Sequence, residues 1–112
     1  MNEKIAEWVG FKRVWTHCDC TMCQNTMTTP DGEGRVFEPP HFEHDFNAIL
    51  KWVEPVLFEK GLRYNTFRLQ DGHRVDIVKK SIKGWTCILS TGFADTLSEA
   101  FCKAVEKLIE QT

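Results

Sequence analysis

The densest group of reactive side chains in the sequence is a cysteine cluster near the amino terminus. Cys18, Cys20 and Cys23 place three thiols within six positions, and His41 follows after a span rich in turn-forming residues. Zn²⁺ prefers four tetrahedral nitrogen or sulfur ligands, and a Cys-x-x-Cys pair such as Cys20 and Cys23 is a common half-site. The spacing therefore predicts a zinc site with three thiolate ligands and His41 as the fourth.

Free thiols are the alternative interpretation of the same cluster, since three local ligands fall short of the usual four. The five cysteines are an odd number, and the crowding of the cluster makes mutual disulfides sterically awkward, so we expect reduced thiols. His17 is a weaker ligand candidate than His41, because neighbouring residues such as His17 and Cys18 seldom reach one ion together. A bound zinc would stabilise the loop rather than catalyse a reaction.

No arrangement typical of an enzyme accompanies the cysteines. Neither the metalloprotease nor the zinc deaminase pattern is met, and phosphate-cradling glycine motifs are absent. Cys23 with His41 or His44 is the candidate dyad, but the loop offers no evident oxyanion donor. Asp71 and Asp76 fall on a hairpin and a strand, where solvated surface is the expected role. The sequence therefore favours a protein that is not an enzyme.

Arginines on predicted strands form a second candidate site. Arg63, Arg68 and Arg74 lie across neighbouring strands. Arginine beside aromatic rings can hold a phosphate or stack on a base, which predicts a small nucleotide ligand. Trp15, next to the cysteine cluster, is the tryptophan that we expect at an interface. The alternative role of these arginines is a solubilising strand face, since charged side chains are mostly exposed.

The elements that position these residues are clearest in the last third of the chain. Residues 85–91 alternate with the period of a strand, which Gly92 is predicted to end. Thr96 and Glu99 have the spacing of a capping box, so a helix is expected to follow. The helix carries one apolar stripe, which must pack against a flat apolar surface. Its members are Leu97, Ala100, Phe101, Ala104, Val105 and Leu108.

The remaining pattern predicts an α+β fold, an antiparallel meander with helices packed on it. Asn2 and Gly10 bound a short first helix, and Asp45 caps a second. Pro55 is expected to kink this second helix or to end it early. Three strands form the meander, with a hairpin at Asp71 and Gly72. The predicted strands are 11–17, 34–37, 62–69, 73–78 and 85–91, and the predicted irregular loop is 18–42.

The meander is predicted to have two apolar faces. The face under the two long helices carries Val75, Ile77, Trp85, Cys87 and Leu89. Phe67, Val78 and Ile88 fall on the opposite face. That second face needs a cover of its own, which either the amino-terminal helix or a second subunit supplies.

Composition limits the classes of function. The 112 residues make one domain, residues 1–112, and 42% hydrophobic with 27% charged residues is ordinary for a globular protein. The formal net charge of −2 argues against a generalised nucleic-acid binder and against a DNA mimic. No run approaches the roughly twenty apolar residues of a membrane span, and no signal-peptide pattern is present. These features favour a cytoplasmic location with no membrane partner.

Four segments share a known pattern of core and capping residues. They are MNEKIAEWVGF at 1–11, a Pro-Asp-Gly turn at 30–32, DFNAILKWVEP at 45–55, and the strand at 85 running into TLSEAFCKAVEKLI at 96–109. Together they resemble the phage ABA sandwich domain, a family of small proteins from phages and prophages of Firmicutes. The resemblance implies helices on both faces of an antiparallel sheet and brings no catalytic residues. The cysteine cluster departs from the family pattern.

Two classes of binding function follow. The first is a small phage- or prophage-type interaction protein that binds a host or phage macromolecule, with the 18–42 loop stapled by zinc or forming part of the contact surface. The second is a binder of a nucleotide signal, held by arginines and aromatic rings at an oligomer interface, that counters host defence. A hydrolase or redox protein that uses the thiols is a third interpretation.

Overall fold

The computed structural model describes residues 2–14, 26–36, 38–80, 84 and 86–111. The α+β class is confirmed, with helices packed on an antiparallel sheet. In chain order the helices are α1 (Asn2–Val9), α2 (Phe46–Ala48), a π-helical turn (Ile49–Val53), α3 (Glu54–Glu59) and α4 (Leu97–Glu110). The strands are β1 (Lys12–Val14), β2 (Thr26–Thr28), β3 (Arg35–Val36), β4 (Leu62–Leu69), β5 (Gly72–Lys80) and β6 (Thr86–Ala94).

A small first sheet with the strand order β1-β2-β3 lies partly in the segment predicted to be an irregular loop. Met27 of β2 pairs with Arg13 on one side and Val36 on the other. The Met27 side chain is buried, and Thr29 closes the β2–β3 turn by accepting a hydrogen bond from the amide of Gly34. The loop prediction is therefore wrong for 26–28, because β-branched threonines around one buried methionine suffice for a short strand.

The second sheet has the strand order β4-β5-β6 and confirms the predicted meander. Leu62 pairs with Lys79 and Leu69 pairs with Gly72, so β4 and β5 form a hairpin. The two loop residues are Gln70 and Asp71 rather than Asp71 and Gly72. Gly72 begins β5 with a φ of 151°, a conformation that glycine adopts without strain.

Strand β6 extends beyond Gly92, which was predicted to end it. Gly92 is paired with Val75 inside the strand and is buried under α4. A Cβ atom at this position would overlap the carbonyl oxygen of Ala100. Glycine is therefore required here by the close approach of a helix to the sheet, and not by a turn.

A β-bulge in β6 changes which side chains reach the core. Ile77 pairs with Ser90 and Val78 pairs with Ile88, so Leu89 is the extra residue. Leu89 packs against the core, whereas Cys87 is exposed. Cys87 pairs with Lys79, two residues from Ile77, so it lies on the predicted face of the sheet. The expected cover is missing, because α4 ends where Gln111 bonds to the carbonyl of Leu89 and leaves Cys87 exposed. Trp85 lies outside the described residues.

The second long helix is disturbed next to Pro55, as expected, and it continues through a π-helical turn instead of ending. Asp45 caps α2 through hydrogen bonds from the amides of Asn47 and Ala48. The amide of Glu54 then bonds to the carbonyl of Ile49, five residues back, which makes the π-helical turn. Pro55 has no amide hydrogen to donate, so a widened turn before it avoids a lost bond. Gly61, at a φ of 77°, follows α3.

Helix α4 begins with the predicted cap and lies against β5 and β6. The hydroxyl of Thr96 accepts a hydrogen bond of 3.2 Å from the amide of Glu99. Two polar side chains at its carboxyl end bind the outer edge of β6: Lys107 donates to the carbonyl of Thr91 and Gln111 donates to that of Leu89, each at 2.9 Å. Leu97 of the predicted stripe is partly buried, and the other five members are buried, together with Cys102. These five are Ala100, Phe101, Ala104, Val105 and Leu108.

Helix α1 joins the same helical layer. It packs against α4 and the π-helical turn, and the Nζ atom of Lys4 lies 3.1 Å from a carboxylate oxygen of Glu110. Gly10 stops the helix at a φ of 109°, as predicted, but Asn2 is its first residue rather than a cap outside it. Of the two covers considered for the opposite face of the sheet, α1 is therefore excluded, because it packs with α4. Among the described helices none is long and apolar enough to cross a membrane.

Candidate functional site

The side of the second sheet that faces away from α4 carries exposed apolar residues, and we call it the open face. Its cross-strand rows are Arg63–Val78–Ile88, Asn65–Asp76–Thr91 and Phe67–Arg74–Phe93, flanked by Leu69 and Lys80. Phe67 is 44%, Phe93 53% and Ile88 56% exposed. The predicted positions of Phe67 and Ile88 on this face are confirmed. The second helical layer that the family resemblance implies is not found in the part of the chain that the structure describes.

Arg74 occupies the centre of the open face, between two aromatic rings. Its guanidinium carbon lies 5.3 Å from the ring centroid of Phe67 and 5.9 Å from that of Phe93. Both rings come from neighbouring strands, because Arg74 pairs with Phe67 on β4 and with Phe93 on β6. Such an arrangement combines cation-π attraction with two apolar contact surfaces.

Asp76 fixes the orientation of Arg74. The guanidinium donates two hydrogen bonds to the carboxylate, of 2.9 and 3.0 Å, and the hydroxyl of Thr91 donates a third of 2.9 Å. Asp76 is 3% exposed, so this carboxylate is a buried support and does not face solvent. The pair is bidentate, and three of the five N–H donors of an arginine remain for water or a partner.

The predicted arginine site is only partly assembled. Arg63 and Arg74 lie on the open face, but Arg68 lies on the side of the helices, because residues five positions apart on a strand point to opposite faces. The guanidinium of Arg63 lies 4.5 Å from the ring centroid of Phe58 and bonds to the carbonyl of Leu62. Arg63 and the Phe67–Arg74 row are four residues apart along the strand, about 13 Å. The arginines therefore do not meet around one phosphate, and Trp15 lies outside the described residues.

The predicted zinc ligands are not brought together in the described residues. Cys18, Cys20 and Cys23 lie outside them. His41 is exposed, with its Nε2 atom 3.7 Å from a carboxylate oxygen of Glu38. No cluster of three or more metal-ligating side chains occurs elsewhere in the described ranges. The zinc site stays a prediction from the sequence.

Two groups with shifted pKa values have structural roles. Burial and the hydrogen bond that Tyr64 donates to Glu54, 2.5 Å long, raise the pKa of this phenol to about 12. Burial and then the nearby Glu43 raise the pKa of the Cys102 thiol to about 12. A buried, protonated thiol is a poor nucleophile. We therefore expect Cys102 to contribute to the packing of the core and not to a reaction.

Sequence reasoning missed Phe93 and the pairing of Arg74 with Asp76. The sequence pattern places Phe93 outside the strand, because Gly92 is predicted to end it. The alternation of side chains along a strand could have indicated the site. Arg74 and Asp76 are two residues apart on one strand, and such residues share a face of the sheet.

Comparison of the chain with protein-family models, with curated proteins and with solved structures gives no match. The resemblance to the phage ABA sandwich domain stays a prediction.

Proposed function

We propose that this protein is a non-enzymatic binding protein whose open face docks a partner protein with apolar groups around an acidic side chain. The observation that carries the proposal is Arg74, held by Asp76 between the exposed rings of Phe67 and Phe93. A rigid arginine flanked by aromatic rings is the composition of an interface hot spot.

The apolar part of the open face supplies the driving force. Phe67, Ile88 and Phe93 are each about half exposed, and Leu69 extends the apolar surface at one end. Clustered exposed apolar residues rimmed by polar ones are typical of protein interaction sites. Burial of the exposed half of each large side chain would contribute about 1 kcal/mol.

Charge selects the kind of partner. The exposed charged residues of the open face are Arg63, Arg74 and Lys80, all cationic, whereas the single carboxylate among its described residues, Asp76, is buried. A second copy docked through its own open face would bring no exposed acid from the described residues of that face to meet Arg74. The acidic residue of a partner that also presents apolar residues would accept hydrogen bonds from the free N–H groups of Arg74. The apolar residues of that partner could then cover the open face without burying the Arg74 charge unpaired.

The nucleotide alternative has less support. The arginines proposed to hold a phosphate are separated. The cavity that Phe93 and Leu69 line also carries Asp71 and Asp95, which would repel a phosphate. Small-molecule sites are usually concave, whereas protein interfaces use broad surfaces. A bacterial host or phage protein as the partner rests on the resemblance to the phage ABA sandwich domain.

A photo-crosslinking amino acid placed at Phe93 tests the proposal. Full-length protein carrying it would be expressed in bacterial cells and irradiated, with the same substitution at Leu50 as a control. Leu50 is 38% exposed and belongs to the π-helical turn, outside the sheet. We expect an adduct from position 93 that position 50 does not give.

Binding of the purified adduct partner would then be measured by calorimetry. We expect Phe67→Ala and Phe93→Ala each to raise Kd about thirtyfold, the effect of losing a hot-spot aromatic, while Leu50→Ala leaves it unchanged. Equal affinity for all variants, or no adduct at position 93, would overturn the proposal. An adduct of two identical chains would instead assign the open face to self-association.

A further inference from the structure

A half-open pocket lies between the helical layer and the covered side of the second sheet, and we call it the amphipathic pocket. It has a volume of about 320 Å³. Six parts of the fold converge on it: α1, the α3–β4 connection, β4, β5, β6 and α4. Its lining residues are Trp8, Lys60, Leu62, Lys79, Leu89 and Leu108.

Leucines form the apolar part of the amphipathic pocket. Leu62 and Leu108 are buried core residues, and Leu89 is partly buried against the same core. Leu89 reaches this side of the sheet because it is the extra residue of the β6 bulge. Bulges often re-aim a side chain next to a functional site.

One aromatic ring and two lysines complete the pocket. The Nζ atom of Lys60 lies 5.9 Å from the ring centroid of Trp8. Lys79 is exposed and comes from the central strand. In the described ranges neither lysine has a carboxylate within 4.0 Å, whereas Lys4 and Lys103 do. Two cations therefore border an apolar cavity without neutralising partners.

We infer that the amphipathic pocket binds a small organic anion, a flat apolar body that ends in one carboxylate. The apolar body would pack on the leucines and on the face of Trp8, and the carboxylate would accept from Lys60 and Lys79. Charge-assisted hydrogen bonds of this kind are about twice as strong as neutral ones. The volume is at the lower end of the range for ligand pockets, about 300–1,000 Å³, which limits the ligand to one or two fused rings.

Two other cavities lack this combination. A cavity on the surface of α4 is lined by Lys103, Glu106, Lys107 and Glu110, whose charges balance. A cavity beside the β4–β5 hairpin carries Asp71 and Asp95, which would repel an anion. Unpaired cations and an apolar floor thus occur together in the amphipathic pocket.

The probe for the test is 2-naphthoate, with 2-naphthylmethanol as its uncharged counterpart. Binding would be measured by calorimetry and by the indole N–H signals of a ¹⁵N-labelled protein, in which Trp8→Phe assigns the signal of Trp8. We expect saturable binding of 2-naphthoate that shifts the Trp8 signal. The alcohol should bind about tenfold more weakly, because it lacks the charge-assisted bonds.

Lysine variants test the role of charge. We expect Lys60→Gln and Lys79→Gln each to raise Kd for 2-naphthoate about tenfold without changing the affinity for the alcohol. Lys51→Gln is the matched control, since the Nζ atom of Lys51 also lies over a tryptophan ring, 4.8 Å from the centroid of Trp52, outside the pocket. No shift of the Trp8 signal at millimolar 2-naphthoate, or equal binding by all lysine variants, would overturn the inference. The open face is untouched by these variants, so this result is independent of the proposed function.

Discussion

The hydroxyl of Ser90 donates a hydrogen bond of 2.8 Å to the backbone carbonyl of Ala104, which joins the middle of β6 directly to the middle of α4. Such a bond requires the helix backbone to approach the sheet closely. Gly92, two residues further along the strand, makes the approach possible because it has no side chain. The packing of α4 on the sheet therefore depends on two small residues.

Substitution of Gly92 tests this close approach. A Cβ atom there would overlap backbone atoms of Ala100 and Ala104, so α4 must move away from the sheet. We expect Gly92→Ala to lower the free energy of unfolding by at least about 1–3 kcal/mol, the usual cost of overpacking. Gly34→Ala is the control, because its Cβ would meet only the Thr29 side chain, at 3.3 Å. Urea denaturation gives both values, and equal losses would contradict the close-packing account.

Because Asp76 holds Arg74 through two hydrogen bonds, the effects of substituting the two residues on the free energy of unfolding should be strongly coupled. Arg74→Leu leaves a buried carboxylate without its cation, and we expect a loss of about 3 kcal/mol in the free energy of unfolding. The double variant Arg74→Leu/Asp76→Leu should be more stable than the sum of the single losses predicts. Urea denaturation of the four proteins measures the coupling. Additive losses would mean that the hydrogen-bonded pair contributes little to folding.

Alkaline pH is expected to destabilise the protein through Tyr64. Its folded pKa of about 12 lies above the ordinary value of 10.0, so its contribution to stability is complete below pH 10 and is lost as the pH rises towards 12. Tyr64→Phe should therefore show a shallower fall in the free energy of unfolding between pH 10 and 12. Cys102 adds a fall of the same sign from pH 9, since burial raises its pKa as well. Identical pH profiles of Tyr64→Phe and wild type would contradict this assignment.

The two described cysteines should differ in reactivity. Cys87 is exposed on β6, whereas Cys102 is buried in α4 and its pKa is raised to about 12. Because the thiolate is the reactive form, we expect iodoacetamide to modify Cys87 in the folded protein and Cys102 only after unfolding. Peptide mapping by mass spectrometry follows each site separately. Modification of Cys102 as fast as that of Cys87 would show that α4 opens readily.

The zinc prediction is tested by metal content. With Cys18, Cys20, Cys23 and His41 as ligands, protein purified under reducing conditions without chelator should hold about one zinc per chain. A strong chelator should then lower Tm, because the binding free energy of a structural zinc contributes to folding. His41→Ala should weaken zinc binding without abolishing it. Metal-free protein with an unchanged Tm would favour the free-thiol interpretation.

The sequence predicts most of the elements because their signals are local. Asp45 and Thr96 cap their helices as expected, Pro55 disturbs the helix where it should, and Gly10 stops α1. The errors arise where a distant contact overrides the local signal. Gly92 resembles a strand terminator, and its role becomes visible only once Ala100 is known to lie above it.

The candidate site is less predictable for a related reason. Periodicity places Phe67 and Arg74 on strands, but the bulge at Leu89 depends on how β5 and β6 pair. That bulge makes Leu89 an extra residue of β6, and Leu89 lines the amphipathic pocket. A shift of one residue in a strand moves side chains to the other face, and short-range patterns do not specify it.

The side chains of Lys107 and Gln111 have a consequence for how the second sheet meets other proteins. Both donate to outward-facing carbonyls of β6, the groups that an added strand would need. Unpaired edges are the usual starting point of β-sheet aggregation and of domain swapping. Because helix α4 occupies this part of the β6 edge with its own side chains, strand addition is blocked there, and a partner that approaches β6 must contact the side chains of the open face.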